Sequence, residues 1–209
     1  ATRDLKRPAT PIEQAAVADA WLKAVAQERD RQTRQRFQLR GRYWYREARP
    51  RLTQDLRVEF DQELAAVPLF ADRIVIWNQH NGDAADRGTE LCVVTLLLGG
   101  KSVWRKNVQL PWKRDAPASV VLRPPRTKVD AIRVDVAKYR GVGGGLGEIE
   151  VYDGSVNIAE NCSATADQYW EQNGRYHPQN VTDGDKSGDS GIWLLENGQT
   201  GWVSVDFVK

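Results

Sequence analysis

The sequence predicts a mainly β protein, a jelly-roll β-sandwich preceded by a small N-terminal α-helical segment. Three observations predict it. Composition changes near residue 68: Ala, Arg, Gln and Glu dominate before it, with Gly41 the only glycine, and Val, Thr, Gly, Asn and Trp dominate after it. Before the change, apolar residues recur at helical spacing. After it, short runs that alternate apolar and polar residues follow one another, with Gly and Pro between them, as in sandwiches and jelly rolls. The boundary separates a helical segment, residues 1–68, from a β domain, residues 69–209.

The first helix has a clear start. Thr10 is placed to cap, Pro11 suits the first helical position, and Glu13 stands three residues after Thr10. Ile12, Ala16, Ala20, Trp21, Ala24 and Val25 continue the spacing to about Glu28. A second helix is expected from about Thr33 to Ala48, with Phe37, Tyr43, Trp44 and Ala48 available for contact and Pro50 ending it. Leu52, Leu56, Phe60, Leu64 and Val67 mark a third, from about Thr53 to Ala66. Helices this short must pack on each other or on a neighbour to be stable.

Strands follow from Phe70 onward. Arg73 to Trp77 is one, ending at Asn78, and Asn78 to Gly88 is a polar loop. Leu91 to Leu98 and Ser102 to Leu110 form a hairpin around Gly99-Gly100. Val120 to Leu122 is short. Ile132, Val134 and Val136 share one face of the next strand, and Glu148 to Tyr152 alternates in the same way. Cys162 to Ala166, Ile192 to Leu195 and Trp202 to Phe207 complete the set.

Composition narrows the function. Of 209 residues, 41% are apolar, enough for a substantial core, and the net charge of +2 is too small to imply a polyanionic partner for the whole chain. The longest apolar run, Leu91 to Leu98, is far below the roughly 20 residues that span a bilayer, so no membrane span is expected. The N-terminal Ala-Thr-Arg-Asp is not a signal peptide, and one would have to lie outside this sequence. Cys92 and Cys162, 70 residues apart, carry no metal or redox spacing; they are either one disulfide or two buried hydrophobes. Ten arginines between Arg29 and Arg57 could form a nucleic-acid face, but such a run is more often a solvated face or one that docks on an acidic neighbour, so no nucleic-acid partner is expected.

Two stretches carry a family pattern. Arg73 to Asn78, Asp86-Arg87, the hairpin through Trp104, Ala131 to Val134 and Gly147 to Tyr152 match the second half of a discoidin domain. Asn157 to Ala159, Ser163 to Ala166, Tyr176 to Pro178, Val181 to Asp185 and Trp202 to Phe207 match its first half. Over about 140 residues the chain therefore resembles the discoidin family of coagulation-factor C-domains and galactose-binding modules, with its halves in reversed order. Either the domain is circularly permuted, with the tail strand beside Ile74, or the chain joins two half domains. Permutation is favoured, because a half domain would expose long apolar strand edges and one complete strand set is present. In the helical segment, Trp21-Leu22 and Tyr43 to Ala48 resemble a single degenerate tetratricopeptide or Sel1-type hairpin.

Asp183-Gly184-Asp185-Lys186-Ser187 places oxygen donors closely around a glycine, which suits a hard cation such as calcium; the alternative is a metal-free Asx turn. The resemblance implies a structural calcium here, with Asp183, Asp185, Ser187 and Glu148 as its candidate ligands. The residues after Lys186 depart from the family's usual Thr then Trp. The resemblance also implies sugar binding at loops on one end of the sandwich, where an aromatic side chain stacks on the ring and Arg, Asn and His bond its hydroxyls. The matching residues are Asn78, His80, Asn81, Asp86 and Arg87 in one loop, Tyr139 and Arg140 in another, and Tyr169 and Trp170 in a third.

Gly141 to Gly147 holds five glycines but lacks a following Lys-Ser/Thr and precedes a strand, so it is not a phosphate loop; a flexible loop beside the ligand surface is expected. Catalysis is not expected. The two histidines, His80 and His177, complete no catalytic constellation. Glu148 and Glu150 share a strand face, which alone permits a glycosidase-like carboxylate pair, but the favoured reading puts Ile149 and Val151 in the core and leaves both acids solvated or near a cation. The chain is thus expected to be a non-catalytic carbohydrate-binding or adhesion module, calcium-stabilised, of a larger protein acting at the cell surface, in the periplasm or outside the cell, with a glycan as partner. The alternatives are a scaffold that binds another protein through its helical hairpin, or an accessory domain of an enzyme whose catalytic part lies elsewhere.

Overall fold

A computed structural model describes residues 8–66, 68–81, 84–114, 116–172, 174–188 and 191–207. Val67, Gly82, Asp83, Asp189 and Ser190, which figure in the sequence expectations, lie outside the described residues, as does the side chain of Leu64. The chain forms two compact units that divide between Pro68 and Leu69. It is mainly β, with three helices at the start followed by antiparallel sheets.

The first unit holds α1 (Pro11–Gln27), α2 (Arg31–Ala48) and α3 (Gln54–Ala66), with a 3-10 turn at Arg49–Arg51. The expected capping box closes α1: the Thr10 side chain accepts from the Glu13 amide, and Glu13 reaches back to the Thr10 amide. Asp30 caps α2 in the same way through the Thr33 amide, so α2 starts two residues earlier than its apolar spacing indicates. α1 and α2 run antiparallel. Trp21 meets Phe37 at 5.0 Å, and Gly41 lets Leu22 approach where a Cβ would stand 2.9 Å from it. α3 is pinned by Tyr45, which stacks on Phe60 at 5.0 Å and donates its hydroxyl to Asp61, itself paired with Arg49. Ala15, Ala18, Trp44, Tyr45, Ala48, Leu52 and Phe60 form the buried core. None of the described helices is long and apolar enough to cross a membrane.

The second unit contains β1 (Leu69–Ala71), β2 (Arg73–Asn78), β3 (Arg87–Leu98), β4 (Lys101–Gln109), β5 (Ala118–Leu122), β6 (Thr127–Val129), β7 (Ala131–Gly141), β8 (Gly145–Asp153), β9 (Val156–Asn157), β10 (Ser163–Ala166), β11 (Trp193–Leu194) and β12 (Gly201–Asp206). One antiparallel sheet has the order β10-β12-β7-β3-β4; another has β11-β8-β2-β5 with β9 on β8; β1 and β6 form a short ribbon. Period-two alternation decides which side chains are buried. In the first sheet Val134 pairs with Val94 and Val203, and all three are buried; in the second Ile76 pairs with Ile149, and both are buried. The two sheets are tied together by polar groups. Asn78 of β2 is 1% exposed and donates to the Thr89 and Pro111 carbonyls at 2.8 and 3.0 Å, while its Oδ1 accepts from the Thr89 amide at 3.1 Å. The Thr89 hydroxyl donates to the Gly145 carbonyl of β8 at 2.7 Å and accepts from the Gly145 amide at 3.1 Å.

The tail strand does not lie beside Ile74. β12 pairs with β10 on one edge and β7 on the other, and β2 is flanked by β5 and β8, so neither strand has an edge left for the other. The ends of the unit meet elsewhere. Leu69 pairs with Val129, and the Phe207 amide donates to the Asp130 carbonyl at 2.8 Å, which brings the first and last described residues of the unit to one two-residue turn. Cys92 and Cys162 are both buried and form no disulfide, and Cys162 donates to the Ile158 carbonyl.

The Gly141 to Gly147 stretch is a set of close approaches and not a loose loop. Gly141 has φ +62°, and a methyl there would overlap the Asp86 carbonyl. Gly144 sits against Val136 and Thr89, and Gly145 begins β8 with φ +157°. Two substitutions test this framework. Asn78→Ala strands three buried main-chain groups and is expected to cost about 2–3 kcal/mol, read as a lower urea midpoint at unchanged m-value. Gly141→Ala combines a disfavoured φ with a backbone overlap and is expected to lower the midpoint further or prevent soluble expression.

Candidate cation and ligand-binding site

Glu148 is carried into the interior by β8. Its neighbours Ile149 and Val151 take the core face as expected, yet neither Glu148 nor Glu150 is solvated; Glu148 is 0% exposed and Glu150 is also buried. The two acids are treated differently. Burial alone would raise Glu150, but hydrogen bonds from Lys186 Nζ at 2.7 Å, the Tyr152 hydroxyl at 2.6 Å and Trp77 Nε1 at 2.8 Å outweigh it and hold the carboxyl below the ordinary range. No hydrogen bond of good geometry reaches either Glu148 oxygen, the Gly184 amide standing near but short of one. Burial, then the nearby Asp183 carboxylate, push it up to about 9, with Glu150 adding to the shift and the Gly184 amide and Lys186 opposing it.

Both acids line a cleft of about 350 Å³ together with Tyr152, Ser155, Asn157, Glu160, Gly184 and Lys186. The predicted cation loop forms one wall of it. The loop is folded by two Asx turns: Asp183 Oδ1 accepts from the Asp185 amide at 2.8 Å, and Asp185 Oδ1 accepts from the Ser187 amide at 2.8 Å. The remaining oxygens, Asp183 Oδ2 and Asp185 Oδ2, face Gly191, whose φ of +58° and missing side chain admit both. Burial, with the Asp185 carboxylate beside it, raises Asp183 against the pull of the Asp185 amide. Glu148, Asp183, Asp185 and Ser187 are therefore neighbours. Among the described residues no three His, Cys, Asp or Glu side chains converge as a metal group. A hard cation here would draw on the carboxylates of Glu148 and Asp183, oxygen donors of the kind calcium takes. The unpartnered buried carboxylate fits such an ion.

The nine predicted sugar-contact residues divide by burial. Asn78 is the inter-sheet tie and has no free amide atom to offer. Arg87 is 2% exposed; it bonds Asp86, the Leu195 carbonyl and Asn197, and its guanidinium lies 4.6 Å from the Trp170 ring centroid. Both are buried and bonded within the framework, Asn78 between the sheets and Arg87 where strand β3 starts and draws it inward. His80 is buried with Nε2 bonded to the Ser187 carbonyl at 2.8 Å, which links the two loops that the sequence treats separately. Trp170 packs on Tyr176, Ile192 and Leu194. Asp86 is exposed, and Asn81, bonded to it at 2.7 Å, Tyr139, Arg140 and Tyr169 are half-buried like Trp170, with Tyr169 edge-on to His177. The β3–β7 pairing brings the first two loops together: Gly88 pairs with Arg140 and the Val142 amide donates to the Asp86 carbonyl. The Arg87–Trp170 stack joins the third.

Three contributors were not among the expected site residues. Trp112 lies flat against Gly88 and under the Arg140 guanidinium at 3.6 Å. Asn197 receives Arg87, and Lys186 binds Glu150. Only Lys186 stood in a motif singled out from sequence. The chain matches no known family, no curated protein and no solved structure.

Glu148 makes a pH-dependent contribution whose sign follows from its shift. The folded state keeps the proton to about 9 while the unfolded chain releases it near 4.5, so stability present below the lower value is lost as pH rises toward the upper one. In calcium-free buffer, Glu148→Gln removes that loss. Its melting temperature is expected to gain steadily on the wild type from about pH 5 to about pH 9, as read by thermal melts across that range.

Proposed function

We propose that residues 69–207 form a non-catalytic carbohydrate-binding module of the discoidin type, a circularly permuted jelly roll stabilised by calcium, in a protein that acts outside the cytoplasm. The observation that carries this reading is the Glu148 carboxylate, buried without a partner beside Asp183 and Gly184. That is the pairing of last-strand glutamate and Asp-Gly-Asp turn that the resemblance implies for a structural cation. The meeting of Leu69 and Phe207 at the Val129–Asp130 turn supports permutation, because reordering the halves of a domain requires ends that lie close together. The two antiparallel sheets are compatible with a jelly roll.

Glycan contact is assigned to exposed Asp86 and to the half-buried Asn81, Tyr139, Arg140 and Tyr169. Arg140 and Asn81 supply donors, Asp86 an acceptor, and the two tyrosines apolar faces, the mixture that a sugar's hydroxyls and C–H faces require. Glu148 and Glu150 favour a structural reading over acid–base catalysis, since Glu150 is engaged by three donors and leaves no free general base.

Two measurements test the proposal. Saturating calcium is expected to raise the melting temperature by about 5–10 °C, with Glu148→Gln abolishing the rise. A calcium titration without effect on the wild type rejects the cation. On an array of mono- and oligosaccharides, Tyr169→Ala and Arg140→Ala are expected to weaken binding at least about tenfold while leaving the melting temperature near that of the wild type. An unliganded array rejects the glycan, whatever calcium does.

A further inference from the structure

Charge in the helical unit is segregated by helix. α2 carries six arginines against one glutamate, net +5; α3 carries four acids against Arg57, net −3; α1 carries two acids against Lys23, net −1. Of the exposed residues of α2, Gln32, Arg36, Arg40, Tyr43 and Glu47 fall on one stripe, at steps of four, four, three and four, and Arg34 lies off it. Tyr43 is 38% exposed, and the Arg40 guanidinium lies 4.9 Å from its ring centroid, so an aromatic group and two arginines stand together on the surface.

α1 and α3 present the opposite character. Between them runs a groove of about 300 Å³, with Ala16, Leu56 and Phe60 in its lining, Ile12 at its lip and the acids Asp19 and Glu59 beside them. Ile12 is 71% exposed, so it adds apolar surface to the groove's edge. Lys23 pairs with Asp19 at 2.8 Å, but that pair is solvent-exposed and an incoming arginine can replace it.

We propose that the helical unit is a self-docking surface, in which the Arg36–Arg40–Tyr43 stripe of one copy seats in the α1–α3 groove of a second. An aromatic anchor flanked by arginines is the side-chain class that concentrates binding energy at interfaces, and the groove offers it apolar lining and two counter-charges. Groove-to-groove pairing would set net-negative helices against each other and is disfavoured by like-charge repulsion. The contact is therefore head-to-tail: one copy's groove and the other's stripe stay open to a further copy, and the assembly extends. It does not depend on what the β unit binds, but it would multiply weak ligand sites along one assembly.

Sedimentation velocity on the full chain tests it. In about 50 mM salt the average mass is expected to rise past that of a dimer between about 10 µM and 1 mM protein, and to return to the monomer in about 500 mM salt. Arg36→Glu/Arg40→Glu and Asp19→Arg/Glu59→Arg should each remain monomeric, and an equimolar mixture of the two should associate. Tyr43→Ser, an exposed change with little effect on the melting temperature, should weaken association at least tenfold and covers the case in which a charge-reversed variant fails to fold. A wild type that is monomeric throughout overturns the proposal, as does association that survives Tyr43→Ser or high salt.

Discussion

Asn78 and Thr89 share and extend five hydrogen bonds in a place that water does not reach, and the second unit is organised around them. Each bond serves a main-chain group that would otherwise be buried unpaired, a loss of the order of 1–3 kcal/mol apiece. Asn78 sits where the β2–β8 register shifts by one residue, which turns its amide out of the ladder and toward β3. Thr89 then reaches Gly145, the first residue of β8. Because β2, β3 and β8 are fixed to one another here, the residues on either side inherit their positions: Arg87 is held beneath Trp170 and Glu148 beside the Asp183 turn.

The cleft beside that clamp shows how two like groups on one strand acquire different chemistry. Glu150 has three donors within 2.8 Å and behaves as a structural anion. Glu148, two residues earlier on the same face, has none. Desolvation penalises the charged form of both, and only the presence of donors separates them. A glutamate left in that state is either protonated or waiting for a cation, and both alternatives are more specific than a solvated surface acid.

Local features were legible in the sequence and non-local ones were not. The boundary near residue 68, the Thr10–Glu13 capping box and the faces of the strands around Val134 and Ile149 follow from neighbours in sequence, and composition, capping chemistry and period-two alternation report on just those. Alternation does not say which strand lies beside which. The tail strand Val203–Val205 reads equally well next to β2 or β7, and the structure places it at β7. Burial of polar residues escaped for a related reason. Arg87 resembles an exposed loop arginine because Trp170, Leu195 and Asn197, which enclose it, arrive more than 80 residues later. The glycines from Gly141 to Gly147 suggested flexibility, whereas Gly141, Gly144 and Gly145 mark places where another chain segment passes too close for a side chain. That Glu148 lies near the Asp183 turn was among the expectations; the donors that set Glu150 apart were not.

The shared turn at Val129–Asp130 has a consequence beyond the order of strands. A unit whose entry and exit adjoin behaves as a parenthesis in a polypeptide: it can be written into a surface loop of some other protein without prising apart the segments on either side of the insertion. Architectures of that kind let a recognition element be acquired, moved or lost by recombination while the surrounding fold keeps its own continuity.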